Sequence, residues 1–258
     1  MLSFELISSE ILYLKFLIMK KIPKIIHQVW SGIEGPYPRI FENYKNTWLR
    51  DYPSWKHILW DQQKMNEFII KNYPQYWEKY NEFPYNIQRW DIIRYLILYK
   101  YGGMYADLDY ESLKPLDSLL SDHTCCFACE ATFTDERGSL QQYFNNALIL
   151  TSPKHFFLKE IIDHIFSDKI MQQFDLSKSQ YVLNTTGPWM LTKLYHSLTN
   201  SRKKKVYIIP AEYVTPISYI VAGELRAGNL KKRGGIKSKI DNAYAIHHFY
   251  GSWLSSEK

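Results

Sequence analysis

The chain has 258 residues, of which 46% are hydrophobic and 22% are charged, and this composition excludes a disordered or fibrous protein. Its three cysteines, Cys125, Cys126 and Cys129, lie in one short segment, which excludes a disulfide framework and favours a reducing compartment. The longest early apolar run, Ile11 to Met19, is interrupted by Lys15 and is shorter than the roughly 18 residues of a membrane span. The sequence therefore predicts a cytoplasmic protein.

The net charge of +6 comes from 32 Lys and Arg against 26 Asp and Glu. The excess is concentrated in two clusters, Arg202–Lys205 and Lys231–Lys239. Such clusters are typical of solvated loops, and the alternative is a peripheral contact with phosphate groups or with the anionic cytoplasmic face of a membrane. No zinc-finger, helix-turn-helix or RNA-binding signature accompanies the charge, so nucleic acid is not expected as a partner.

The predicted elements begin after an N-terminal extension. Residues 1–20 are expected to form this extension, with a short helix, and residues 21–258 a single domain. Strands are predicted at Lys24–Trp30, His57–Trp60, Met104–Ala106, Cys125–Cys129, Ala147–Leu150, Val206–Ile209 and Tyr244–Phe249, and helices at Gln62–Lys71, Asn86–Lys100, Phe156–Phe166 and Trp189–Leu198. This alternation predicts an α/β fold with a mostly parallel central sheet flanked by helices. A glycine- and lysine-rich loop is expected at Ala222–Lys239.

Two aspartates, Asp107 and Asp109, follow the predicted strand Met104–Ala106. Residues two apart on an extended chain point the same way. Both carboxylates can therefore converge on one hard divalent cation, Mg²⁺ or Mn²⁺, that also binds a diphosphate. Taken alone, this spacing is more typical of an acidic turn, so the motif depends on its context.

The preceding helix supplies that context, because Arg89, Asp91 and Arg94 interrupt a segment of Ile, Leu and Trp. Asp91 and Arg94 are three apart and share one helical face. Charges on such a helix must be paired or must line a polar site. A turn at Gly102-Gly103 joins the helix directly to the aspartate pair, and the pattern therefore favours a functional site.

These residues also carry a family resemblance. The runs Arg89–Tyr95 and Tyr101–Asp109 resemble the sugar-binding region of DXD-containing glycosyltransferases. That family includes yeast initiating α-mannosyltransferases, sphingolipid mannosyltransferases and bacterial capsule and lipopolysaccharide transferases, and it is distantly similar to the glucosyltransferase domains of large clostridial toxins. The opening Ile22–Trp30 resembles the family's first strand. The resemblance covers residues 22–130 and reappears at Asn145-Asn146 and in the C-terminal segment.

The resemblance implies a nucleotide-sugar-binding fold of the GT-A type, a divalent metal and retention of anomeric configuration. It implies that Trp30 stacks on the nucleobase. The other residues expected to bind the nucleotide sugar are His27, Gln28, Ser31, Arg89, Asp91, Arg94, Tyr105, Asp107, Asn146 and Gly187. Gly187 precedes a predicted helix, whose N-terminal N–H groups can bind substrate oxygens or simply be capped. Asp91, Arg94 and Asn146 are also assigned to catalysis, because the family holds the donor sugar and the diphosphate there.

The C-terminal segment Ala245–Trp253 resembles the closing segment of related transferases. In that segment a histidine three residues before a glycine completes the metal shell, which selects His248 and leaves His247 on the other face of the strand. Trp253 is the fourth residue assigned to catalysis, as an indole N–H donor to the leaving diphosphate. The predicted metal ligands are Asp107, Asp109 and His248. An imidazole ligand suits Mn²⁺ better than Mg²⁺, so Mn²⁺ is the expected ion and Mg²⁺ the alternative.

The sequence therefore predicts a metal-dependent, retaining hexosyltransferase that uses a nucleoside diphosphate sugar. The expected acceptor is a hydroxyl of a glycan or a lipid-linked saccharide, in surface polysaccharide synthesis. The segment around Trp30 favours UDP-hexose over GDP-mannose as the donor. The alternatives are a metal-dependent nucleotidyltransferase, a glycosidase and a non-catalytic sugar- or nucleotide-binding module. A nucleotidyltransferase would need a glycine-rich loop that binds the triphosphate. A glycosidase would need two carboxylates roughly 5 Å or more apart, one on each side of a sugar.

Overall fold

The computed structural model describes residues 21–120, 122–130, 133–134, 140–141, 143–167, 176–228 and 233–251. The strands are β1 (Ile25–Val29), β2 (Lys56–Trp60), β3 (Gly103–Ala106), β4 (Tyr110–Ser112), β5 (Cys125–Cys129), β6 (Phe133–Thr134), β7 (Leu140–Gln141), β8 (Phe144–Thr151), β9 (Tyr207–Ile209) and β10 (Ala245–His247). The helices are α1 (Arg39–Asp51), α2 (Gln62–Asn72), α3 (Trp77–Glu82), α4 (Asn86–Tyr101), α5 (Asp117–Leu120), α6 (Phe156–Ile165), α7 (Lys178–Thr185), α8 (Pro188–Ser197), α9 (Asn200–Lys203), α10 (Ala211–Val214), α11 (Tyr219–Arg226) and α12 (Arg233–Asn242), with a 3₁₀ turn at Pro74–Tyr76. The predicted N-terminal extension and Trp253 lie outside the described residues. Among those described, no helix is both long enough and apolar enough to cross a membrane.

A six-stranded sheet in the order β2-β1-β3-β8-β5-β9 forms the centre of the fold. β1 pairs in parallel with β2 and with β3, and β5 pairs in parallel with β9. β8 lies between β3 and β5 and is antiparallel to both. All the strands of this sheet except β8 therefore point the same way, and the predicted α/β fold with a mostly parallel sheet is confirmed.

Helices pack on both faces of this sheet, because strands β3, β5 and β8 consist of buried residues on both sides. Tyr105 and Phe127 belong to one buried cluster, which also contains residues of α2, α4, α6 and α8. Their strand neighbours Met104 and Cys126 belong to a second buried cluster, which includes Trp48 of α1. The cysteines of β5 are thus small core residues, and all three are buried and free.

The segment Ala222–Lys239, predicted as a loop, instead contains the end of α11 and the start of α12. Ser218 caps α11, since its hydroxyl accepts a hydrogen bond from the N–H of Val221. Ile236 and Ile240 of α12 are four residues apart and share one face, and they pack with Ala222 in a third small cluster. The loop prediction depended on the glycine and lysine content of this segment. The few apolar residues of the segment are nevertheless packed together by helices, so the prediction was wrong.

The turn between α4 and β3 positions the predicted DXD motif. Gly102 and Gly103 both have positive φ, at 65° and 100°, a conformation that side chains with a Cβ rarely adopt. A Cβ on Gly103 would lie 2.5 Å from the carbonyl oxygen of Ile25, in β1. The pairing of β1 with β3 therefore depends on the missing side chain at this position.

Replacement of Gly103 by alanine is expected to lower the free energy of unfolding by about 2–4 kcal/mol, from backbone strain and the clash with β1. The matched control is Gly235→Ala in α12, where φ is not positive and a Cβ would meet nothing within 4 Å. There alanine should raise the free energy of unfolding by about 0.5–1 kcal/mol, the difference in helix propensity. Urea denaturation of both variants measures these changes, and equal effects would contradict the prediction.

Candidate active site

A cavity of about 400 Å³ opens at one edge of the sheet. Its wall contains residues that directly follow β1, β3 and β5 and residues at the start of the antiparallel β8. The carboxyl ends of three parallel strands and the amino end of β8 meet at this edge. In open α/β sheets, ligands bind in the crevice outside the carboxyl ends of the strands.

Asp91 and Arg94 of α4 form a buried ion pair in the wall of this cavity, with 3.0 Å between Arg94 Nη2 and Asp91 Oδ1. Asp91 also accepts hydrogen bonds from Asn146 Nδ2 at 2.8 Å and from Thr186 Oγ1 at 2.7 Å. Burial raises the pKa of Asp91 to about 6, although Arg94 and these hydrogen bonds act in the opposite direction. The network ties α4 to β8 and to the segment that precedes α8.

Arg94 also links this network to the first aspartate of the motif. Its Nη1 lies 3.4 Å from Asp107 Oδ1 and donates a hydrogen bond of 2.8 Å to the Asn146 carbonyl. The guanidinium lies 4.6 Å from the centre of the Tyr105 ring, and the Tyr105 hydroxyl donates to Asp107 Oδ1 at 2.6 Å. Burial raises the pKa of Asp107, although Arg94 lowers it. One oxygen of Asp107 is therefore committed to the protein.

Asp107, Asp109 and His247 each offer a ligand atom, and these atoms lie within 4.8 Å of one another. His247 Nε2 is 3.3 Å from Asp109 Oδ1, and the N–H of Tyr250 donates to Asp109 Oδ2 at 2.8 Å. His247 Nδ1 is buried and has no hydrogen-bond partner within the described part of the chain. Two carboxylates and an imidazole whose ligand atoms lie this close together fit a divalent cation.

Asp109 and His247 shift each other's pKa. Burial alone would raise the pKa of Asp109, but His247 and the Tyr250 N–H together hold it below its usual value. Burial would lower the pKa of His247, but Asp109 raises it overall. Asp109 therefore stays ionised, as a metal ligand must.

The histidine that lies beside the two aspartates is His247, whereas the sequence analysis selected His248 as the third ligand. His248 Nε2 is 2.9 Å from Glu111 Oε2, and its ring stacks on Tyr44 with 4.3 Å between the centroids. β10 is antiparallel to β4, with His247 opposite Tyr110, and their rings stack at 4.6 Å. This register turns His247 towards the motif and His248 to the other face of the ribbon.

Among the residues predicted to bind the nucleotide sugar, Trp30 and Ser31, which follow β1, line the cavity, as does Gly187 at the N-terminus of α8. The Trp30 ring makes edge contacts with Tyr37 and Phe41, with 5.8 and 5.9 Å between the centroids. Its indole nitrogen is buried without a hydrogen-bond partner among the described residues. These residues place an aromatic face and an unpaired donor at the β1 end of the cavity.

Three other predicted binding residues do not line the cavity. His27 is buried in the sheet, where its Nε2 lies 3.0 Å from the Gly102 carbonyl and its Nδ1 accepts from Trp60 Nε1 at 3.2 Å. Burial lowers the pKa of His27 to about 4, so the ring is neutral. Gln28 Oε1 is bonded to His57 Nε2 at 2.7 Å. The third, Arg89, donates hydrogen bonds to the Phe83 carbonyl and the Asn86 side chain at the start of α4.

The cavity also contains residues that the sequence analysis did not select. Glu130 follows β5, Tyr219 begins α11, and Phe249 and Tyr250 follow β10. Glu130 could have been found by the rule that selected Asp107, since both are acidic residues directly after a predicted strand. Tyr219 carried no such signal, because its helix was not predicted.

One part of the chain matches a known protein family. Residues 38–126 match the family described as the glycosyltransferase sugar-binding region containing a DXD motif. The match covers α4, β3 and the aspartate pair, so the resemblance seen in the sequence is confirmed. Residues 38–126 are therefore a sugar-binding region of the DXD-containing glycosyltransferase family.

Inositol phosphoceramide mannosyltransferase 1 of Schizosaccharomyces pombe is 33% identical over 196 residues, which are 75% of this chain and 57% of that relative. Mannosyl phosphorylinositol ceramide synthase of Saccharomyces cerevisiae is 30% identical over 205 residues, 77% of this chain and 49% of that relative. The chain thus spans about half the length of these curated relatives. Among solved structures, the PaToxG glycosyltransferase matches with a TM-score of 0.50 and 15% identity over 92% of this chain and 97% of that one. The predicted GT-A type of fold is confirmed.

Proposed function

We propose that the protein is a metal-dependent glycosyltransferase that moves a hexosyl unit from a nucleoside diphosphate sugar to a hydroxyl of a glycan or glycolipid. One observation carries this proposal. The cluster of Asp107, Asp109 and His247 lies in the same cavity as the Asp91–Arg94 pair and Trp30. The cavity volume of about 400 Å³ is in the range of small-molecule and cofactor sites.

Asp107, Asp109 and His247 would hold the divalent cation, with Mn²⁺ favoured by the imidazole and Mg²⁺ as the alternative. When bound, the cation supplies Lewis-acid stabilisation of the diphosphate. Asp109 keeps its charge through His247 and the Tyr250 N–H, so it is ready to act as a ligand.

The chain's own residues would bind and orient the donor around this cluster. Arg94 is held between Asp91 and Asp107. Its positive charge would stabilise the negative charge that develops on the leaving diphosphate. Asp91 positions both Arg94 and the Asn146 amide, so these groups would meet the sugar without reorganisation. Trp30 would cover the nucleobase. The role predicted for Trp253 and retention of configuration stay predictions.

The donor and the acceptor are proposed from the curated relatives. Both relatives bear mannosyl transfer in their names and act, by those names, on an inositol-containing ceramide. These names support a mannosyl unit, which makes GDP-mannose the first donor to test and UDP-hexose, favoured from the sequence, the second. They support a glycolipid acceptor over the surface polysaccharide expected from the sequence. A cytoplasmic location stays a prediction.

Donor hydrolysis tests the proposal without an acceptor. Purified protein with Mn²⁺ and a panel of GDP- and UDP-sugars should release nucleoside diphosphate from one donor, and chelation with EDTA should reduce that rate at least about 100-fold, since several kcal/mol of charge stabilisation are removed. Added Mn²⁺ should restore the rate. Release that survives EDTA would overturn metal dependence. Absence of both release and Mn²⁺-dependent nucleotide binding would favour the binding-module alternative.

A further inference from the structure

We propose that Glu130 and Tyr219 form the acceptor subsite of the cavity, in which the Glu130 carboxylate accepts a hydrogen bond from a hydroxyl of an uncharged polyol or saccharide. This inference rests on the proposed glycosyl transfer, and it names the place and chemical class of the second substrate.

Glu130 is held firmly by its backbone. It directly follows β5, and its N–H donates a hydrogen bond of 2.8 Å to the carbonyl of Tyr143, just before β8. Cys129, the residue before Glu130, pairs with Phe144 where β5 lies antiparallel to β8. The residue therefore sits at the same sheet edge as Asp107 and Asn146, and its side chain lines the cavity.

The Glu130 carboxylate differs from the other carboxylates of the cavity wall in having no partner. Glu34, for example, accepts from Asn86, and the three aspartates are bonded as described above. Within the described part of the chain, no hydrogen bond or ion pair reaches the Glu130 side chain. Burial raises the pKa of this carboxyl, although His247 acts in the opposite direction. Glu130 is only partly exposed, and the hydroxyl of a ligand in the cavity would give its carboxylate a hydrogen-bond partner.

The charge of Glu130 selects the kind of ligand. A carboxylate near a bound diphosphate would repel it, so an uncharged hydroxyl is the suitable partner. Glu130 follows β5 and Trp30 follows β1, and β3 and β8 lie between these two strands in the sheet, so Glu130 lies away from the nucleobase end of the cavity at Trp30. The acceptor hydroxyl must reach that same region to meet the anomeric carbon of the donor.

Tyr219 supplies an apolar surface on the same cavity. It begins α11 and lines the cavity, yet 67% of its surface is exposed. Aromatic side chains with one apolar face and one polar tip are suited to partly wet binding surfaces. An acceptor ring that packs on Tyr219 would bury this face and orient the hydroxyl towards Glu130.

Two measurements on Glu130→Gln and Tyr219→Ala test the subsite. The first is saturation-transfer NMR with Mg²⁺ and nucleoside diphosphate, using methyl α-mannopyranoside and myo-inositol as probes, which requires no turnover. The second compares donor hydrolysis with transfer to the same probes. We expect wild type to bind at least one probe. Glu130→Gln and Tyr219→Ala should lower transfer kcat/KM at least about 10-fold, and they should lower it at least about 5-fold more than they lower the rate of donor hydrolysis.

The outcomes separate this inference from the proposed function. Absence of probe binding by the wild type, unchanged binding and transfer in Glu130→Gln, or a parallel loss of hydrolysis and transfer would each overturn the acceptor subsite. Absence of donor hydrolysis by the wild type would instead overturn the proposed function, while probe binding would still report on Glu130. Glu67→Gln, an exposed glutamate of α2, is the matched control and should behave as the wild type.

Discussion

Asp109→Asn should reduce Mn²⁺-dependent donor hydrolysis by about 100- to 1,000-fold, the magnitude associated with loss of one group that stabilises developing charge. Asp109 is the aspartate that contacts both His247 and the Tyr250 N–H. Asparagine keeps the size of the side chain and an oxygen for Tyr250, but it removes the anionic charge that holds a cation. The measurement is the rate of nucleotide release across a range of Mn²⁺ concentrations.

The control for this variant is Asp117→Asn, an exposed aspartate of α5, which should retain the wild-type rate. Thermal melting of both proteins checks that Asp109→Asn still folds. A variant at Asp109 that is folded and keeps full Mn²⁺-dependent hydrolysis would contradict the assignment of the metal site.

The same substitution should have a large effect at one of the two adjacent histidines and little effect at the other. His247→Gln should raise the Mn²⁺ concentration required for half-maximal hydrolysis by about 10- to 100-fold, because it removes an imidazole from the cluster. His248→Gln should change that concentration less than about 2-fold, since His248 is bonded to Glu111 and stacked on Tyr44. Titration of hydrolysis with Mn²⁺, together with calorimetric Mn²⁺ binding in the presence of nucleotide, measures both effects. The reverse pattern would restore His248 as the ligand.

The aspartates of the motif could be predicted from sequence because their geometry is local. Asp107 and Asp109 follow one strand, and the helix that carries Asp91 and Arg94 is joined to that strand by a short glycine turn. Helical spacing and strand alternation are enough to bring such neighbours together. The bounds predicted for α4 and β3 were correspondingly close to those observed.

The two adjacent histidines show where local patterns do not suffice. Which of His247 and His248 faces the motif depends on the register between β10 and β4, and the partner strand β4 was not predicted. Asn146 reaches the cavity because β8 is antiparallel to its neighbours, a direction that alternation of strands and helices does not reveal. His27 and Gln28 were assigned by resemblance to a binding segment, whereas both ring nitrogens of His27 and the Oε1 of Gln28 are bonded to adjacent parts of the sheet and turn.

The ribbon of β4 and β10 has a consequence for stability. It brings His247 to two aspartates that lie more than a hundred residues earlier in the chain. A cation bound by all three would act as a reversible crosslink that closes this long segment, and it would stabilise the folded state in proportion to the logarithm of its concentration. Strand β10 would then detach from β4 most readily at low concentrations of the cation. The stability of the fold would therefore depend on the same ion that the site requires.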